Sequence, residues 1–210
     1  VKEWLFELLS GSFKIVRSPK SYNSQVGVPL SVLLMNDGYD LALIEAGISQ
    51  PGEMLHLAKI IEPEIGILTN IGDAHQENFH SKKEKTEEKL KLFQQTQQLI
   101  FRTDDAIVTK AAEDFCNHQG IQKISWTLKD NEASIRFRAK SSNDKTDIFA
   151  LLSGRKYTFS IPFTDESAIE NACHCFAALS VVCERPEQFL QEFKKLSPVG
   201  MRLELTKGTN

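Results

Sequence analysis

Apolar and polar positions change rhythm several times along the chain, and each rhythm predicts an element. Val1, Trp4, Leu5, Leu8 and Leu9 recur at helical spacing, so a helix is expected at the start. "FKIVRS" (13–18) reads as a short strand, and the Ser-, Pro-, Asn- and Gly-rich stretch 18–29 as a loop. "LSVLLMN" (30–36) suits a helix. "DLALIEAG" (40–47) is a nearly continuous apolar run, the pattern of a strand buried on both faces. Pro51 then opens the helix "PGEMLHLAKII", with proline in its first turn. "EIGILTN" (64–70) is the next buried strand. "KKEKTEEKLKLFQQT" (82–96) predicts a charged helix that turns Leu90 and Phe93 to a core. "QLIFR", "AIVTK" and "KISWTL" read as short strands around one helix, "AAEDFCNH".

This alternation predicts an α/β fold, a mostly parallel sheet flanked by helices. The pattern changes after about residue 130. "SIRFRAK" (134–140) and "DIFALLSGRKYTFSIPF" (147–163) alternate apolar and polar residues around Ser153-Gly154, which predicts a small antiparallel portion. Two helices, 166–184 and 186–196, are expected to close the chain.

Composition excludes several classes. A net charge of −3 gives no broad basic field, so nucleic acid is not an expected partner. The apolar runs are far too short to span a bilayer, so no membrane insertion is expected. The start has no signal-peptide pattern. Cys116, Cys173, Cys175 and Cys183 lack metal or redox spacing, so they read as buried thiols in a reducing, cytoplasmic setting. The chain starts inside a helical pattern and stops after "MRLELTKGTN", from which we expect a piece of a longer polypeptide.

In open α/β sheets, ligands bind at the carboxyl ends of the parallel strands. Two expected strands place polar groups there, one ending in Glu45-Ala46-Gly47 and the other in Thr69-Asn70 before His75. A strand-end carboxylate suits Mg²⁺, and a nearby histidine adds a further ligand. Taken singly, Glu45 also fits a carboxylate that caps a helix, and His75 an ordinary loop histidine. The charged helix reads as a solvated face. The phosphate-binding G-x-x-x-x-G-K-[ST] pattern is missing from the chain, as are zinc, dinucleotide and Ser-His-Asp patterns.

The stretches "SYNSQVGVPLSVL", "YDLALIEAGISQPGEM", "PEIGILTNIGDAHQENF" and "EKLKLF", in this order and spacing, resemble the central ATPase domain of the Mur ligases. They resemble in particular the branch that adds D-alanyl-D-alanine to UDP-N-acetylmuramoyl-tripeptide, including forms fused to an alanine racemase. The resemblance implies a P-loop NTPase-like central domain over residues 1–205, with 206–210 starting a linker. The family's phosphate loop, its UDP-binding domain and its C-terminal domain would lie outside this chain.

The resemblance also implies roles. Glu45 and His75 match metal ligands, and Lys89 matches a lysine that the family carbamylates into a metal-binding anion. Asn23 matches a loop residue near substrate and metal, Asn171 an adenine contact, and Arg202 an arginine that approaches the nucleotide phosphates. The implied cofactors are ATP and Mg²⁺. The implied reaction activates the tripeptide carboxylate as an acyl phosphate, which the amine of D-Ala-D-Ala then attacks. Another Mur or folylpolyglutamate-type ligase, or a non-catalytic nucleotide-binding scaffold, is the alternative.

Overall fold

The computed structural model describes residues 1–19, 21–72, 76–129 and 132–198. Helix α1 (Lys2–Leu9) buries Trp4, Leu5, Leu8 and Leu9, the stripe its periodicity predicts. Strand β1 (Ile15–Arg17) pairs in parallel with β2 (Leu41–Leu43), and the short helix α2 (Gly27–Val32) lies between them in sequence. The strand expected over 40–47 is therefore shorter, and it is not buried on both faces: Ala42 is exposed. Among the described residues β2 has a ladder partner on one side only, which leaves it less covered than a central strand.

Helix α3 (Glu53–Ile61) follows Gly52, whose φ of 91° turns the chain into it. Strands β3 (Ile65–Leu68), β4 (Gln98–Arg102) and β5 (Gln122–Thr127) run parallel, with helices α4 (Lys82–Leu90) and α5 (Ala106–Gln119) as crossovers. The strand expected at "AIVTK" is instead the start of α5. The Asp105 carboxylate accepts hydrogen bonds from the amides of Ile107 and Val108, both at 3.0 Å, and this N-cap outweighs the β-branched residues that follow.

Strand β6 (Ile135–Ser141) joins β5 in parallel, and β7 (Thr146–Leu152) and β8 (Arg155–Ile161) extend the sheet antiparallel. Ser153 and Gly154 both have positive φ, 48° and 79°, the left-handed pair that a two-residue hairpin matching strand twist requires. Helix α6 (Glu166–Val182) crosses the sheet. The helix expected over 186–196 is two 3-10 turns, Pro186–Phe189 and Glu192–Lys195, which keep Phe189, Phe193 and Leu196 buried.

Two apolar cores lie on opposite faces of the sheet. One joins α1 and α6 to Ile100, Trp126, Phe137 and Phe159, and the other joins α3, α4 and α5 to Leu99 and Phe101. Successive residues of β4 thus feed opposite cores. β4 is the strand buried on both faces, and that burial fixes its register. Helix α4 departs from the solvated reading, because Lys85, Thr86 and Glu88 are buried along with Leu90.

Candidate active site

Beyond the end of β2 the chain reaches Glu45. Its backbone N–H donates to Ser18 Oγ at 3.1 Å, and its Oε1 accepts from Asn23 Nδ2 at 3.1 Å. Lys2 Nζ stands 3.7 Å from the other carboxylate oxygen, 3.2 Å from Glu3 Oε1, and donates to the Ser18 carbonyl at 2.8 Å. The Lys2 side chain is only 8% exposed whereas that of Glu45 is 38% exposed, so the cation is inside and the carboxylate opens outward. Gly47 closes the loop, its N–H donating to the Asn23 carbonyl at 2.7 Å. A Cβ at Gly47 would stand 3.3 Å from Asn23 Cγ, a tight contact that would push the Asn23 side chain by a few tenths of an ångström.

The loops after β2 and β3 and helix α4 are tied together. Asn78 Nδ2 donates to the Ser49 carbonyl at 2.9 Å, and the Gly52 N–H to Glu88 Oε1 at 2.6 Å. Lys85 Nζ donates to the Gly72 carbonyl at 2.6 Å and lies 5.9 Å from the centre of the Phe79 ring. Lys89 is one helical turn beyond Lys85 on α4. Burial first, and the Lys85 charge second, lower its pKa from the ordinary lysine value.

A third cluster joins the carboxyl ends of β4 and β5 to α6. Arg102 Nε donates to Asp104 Oδ2 at 2.7 Å and its Nη1 to Glu170 Oε2 at 3.1 Å. Burial opposes the Asp104 charge, but hydrogen bonds from Thr127, Arg102 and the Leu128 amide outweigh it and hold the pKa below the usual carboxylate value. The Trp126 indole N–H donates to His174 Nδ1 at 3.1 Å, which places the remaining imidazole proton on Nε2, 3.8 Å from Glu170 Oε1. Asn171 is half-buried beside Glu170 on the same helix.

Of the residues expected from sequence, Asn23 and Glu45 touch directly. Lys89 lies on α4, which is hydrogen-bonded to the loops after β2 and β3. Asn171 lies on α6, next to the residue that meets the end of β4. His75 and Arg202 lie outside the described residues. Sequence reasoning missed Lys2, Lys85 and the Arg102–Glu170–His174 cluster. The one available signal was Lys85, four residues before Lys89 and so on the same helix face. The cysteines are free, and burial pushes the thiols of Cys116 to about 11 and Cys175 to about 12, so these two stay protonated.

The oxygens of Glu45 and Asn23 suit Mg²⁺, which takes one or two carboxylates and leaves room for water and phosphate. Among the described residues no three His, Cys, Asp or Glu side chains converge on a common point. Lys89 as an ammonium does not fit a cation. It supplies oxygen donors only as a carbamate.

A family model described as the Mur ligase middle domain matches residues 1–179. The UDP-N-acetylmuramoyl-tripeptide–D-alanyl-D-alanine ligase of Bacillus subtilis is 26% identical over 209 residues, 98% of this chain and 44% of that protein. A crystal structure of MurF from Acinetobacter baumannii superimposes with a TM-score of 0.83 at 19% identity, over 97% of this chain and 44% of that one. The MurF ligase of Thermotoga maritima, solved in complex with ADP, gives 0.79 at 20% identity, over 94% and 45%. The chain thus spans less than half the length of these relatives, and the two structural likenesses at such identities show the fold. With the family match covering most of its length, the chain belongs to the Mur ligase middle-domain family.

Proposed function

We propose that residues 1–205 form the ATP-handling middle domain of a cytoplasmic amide ligase that adds D-Ala-D-Ala to UDP-N-acetylmuramoyl-tripeptide in peptidoglycan synthesis, with 206–210 leading to a further domain. The observation that carries this reading is the grip of Asn23 and Lys2 on Glu45 at the carboxyl edge of β2, in a chain of this family. The similarity to the Bacillus subtilis enzyme supports the substrates. The likeness to an ADP-bound ligase structure supports ATP.

In this reading Glu45, His75 and carbamylated Lys89 hold Mg²⁺, with Asn23 biasing the Glu45 rotamer. The metal, when bound, supplies charge neutralisation between the anionic carboxylate and the γ-phosphate. Asn171 holds adenine and Arg202 approaches the phosphates. The tripeptide carboxylate attacks the γ-phosphorus, ADP leaves, and the amine of D-Ala-D-Ala displaces phosphate from the acyl carbon. No protein nucleophile is needed, which agrees with thiols held protonated by burial.

The test follows an oxygen atom. With the tripeptide carboxylate labelled with ¹⁸O, the full polypeptide carrying this chain should release inorganic phosphate containing one label per amide formed. Amide formation with unlabelled phosphate would refute the acyl-phosphate route. Failure to form any amide would leave a nucleotide-binding scaffold.

A further inference from the structure

The antiparallel strands β6, β7 and β8 have two unlike faces. Ile135, Phe137, Ile148, Ala150, Phe159 and Ile161 face the core beneath α6. The opposite face is set by register: Arg136–Leu151–Lys156 in one row, Arg138–Phe149–Thr158 in the next, and Lys140–Asp147–Ser160 in the third. Arg136, Arg138, Lys140 and Lys156 are all exposed, and Phe149 at the centre is 45% exposed. Asp147 accepts from Lys145 and Ser160, so the acidic position lies at one end of the face and the apolar pair Phe149–Leu151 is ringed by cations.

Charge is segregated on a larger scale too. Residues 135–161 hold six Lys and Arg against two Asp, a net +4, whereas the whole chain is −3, which leaves −7 for the remainder. A basic sheet face with an exposed aromatic centre, in a chain whose remaining sequence is net acidic, fits an anionic plane. The rest of the sequence is net acidic, so the excess of cations belongs to this segment. A single exposed ring is fewer than the two or three stacked aromatics by which sheets hold single-stranded RNA.

We infer that the outer face of β6–β8 docks peripherally on an anionic lipid surface, with Arg136, Lys140 and Lys156 on headgroup phosphates and Phe149 at the acyl boundary. The interaction is reversible, because a few cations and one ring fall short of a stable anchor. Each cation contributes about a fivefold factor in partitioning, and salt screens it.

The full polypeptide and the 210-residue chain are each sedimented with vesicles of phosphatidylcholine alone and of phosphatidylcholine with phosphatidylglycerol. Both proteins are expected to bind only the anionic vesicles and to come off as salt rises. Arg136→Gln and Lys156→Gln should each weaken binding about fivefold. Phe149→Ser should weaken it further, and Phe149→Trp should blue-shift in fluorescence on binding. These side chains are on the surface, so unchanged circular dichroism is expected throughout. No preference for anionic vesicles, or binding indifferent to the two cation variants, overturns the inference. Binding by the chain but not by the full polypeptide would show that another domain covers the face, and retention on single-stranded RNA without vesicle binding would assign it to nucleic acid. Either result also overturns it.

Discussion

Glu45 is held by groups from three segments, namely Lys2 at the start of α1, Ser18 after β1 and Asn23 in the following loop. Ser18 holds the Glu45 backbone, while Asn23 and Lys2 bias its carboxylate toward one rotamer before any ligand arrives, which lowers the ordering cost of binding. If Glu45 carries a metal, Glu45→Gln in the full polypeptide should lower phosphate release by about 10²-fold or more, because losing metal stabilisation costs several kcal/mol. Near-normal release in a folded variant would remove Glu45 from the site.

His174 gives a second residue-scale expectation. Burial lowers its pKa from 6.5, with the Glu170 carboxylate opposing. As pH falls through about 6.5, the unfolded chain takes up a proton that the folded chain refuses, so stability falls until the lower folded value is reached. Urea midpoints measured across this range should decline on acidification, and His174→Asn should flatten the decline. An unchanged slope in the variant would show that His174 is not the titrating group.

Among the elements, α5 shows local chemistry overriding propensity. "AIVTK" has strand-like residues, yet Asp105 caps two amides and also pairs with Lys82 at 2.5 Å on α4. Asp105→Ala should cost about 1 kcal/mol in urea unfolding, mostly from the lost cap. A change near zero would mean that packing alone sets the start of α5. Helix α4 shows the reverse. Its sequence is nearly all charged, but Lys85 and Glu88 turn inward to satisfy the Gly72 carbonyl and the Gly52 amide. A charge run does not reveal which charges are buried, since their partners come from loops distant in sequence.

Across the whole molecule, the α/β order was legible because β4 and its neighbours carry strong apolar runs and the hairpin has a Ser-Gly turn. The length of β2 was not, because a run of apolar residues does not say how many strands flank it. Asn23 and Glu45 were legible as motif positions, and they meet. The Arg102–Glu170–His174 cluster joins residues up to 72 positions apart with no local pattern, so only the fold brings it together. The chain alone contains no phosphate-binding loop pattern, so it should not turn over ATP. Turnover by the purified 210-residue chain that Glu45→Gln abolishes would contradict that expectation.

The most direct measurement is ATP-dependent phosphate release by the full polypeptide carrying this chain, with UDP-N-acetylmuramoyl-tripeptide and D-Ala-D-Ala each omitted in turn. Sustained release that needs both substrates is the expected result. Sustained release that ignores either substrate, or none with both present, would contradict the assignment of this domain to a D-Ala-D-Ala-adding ligase.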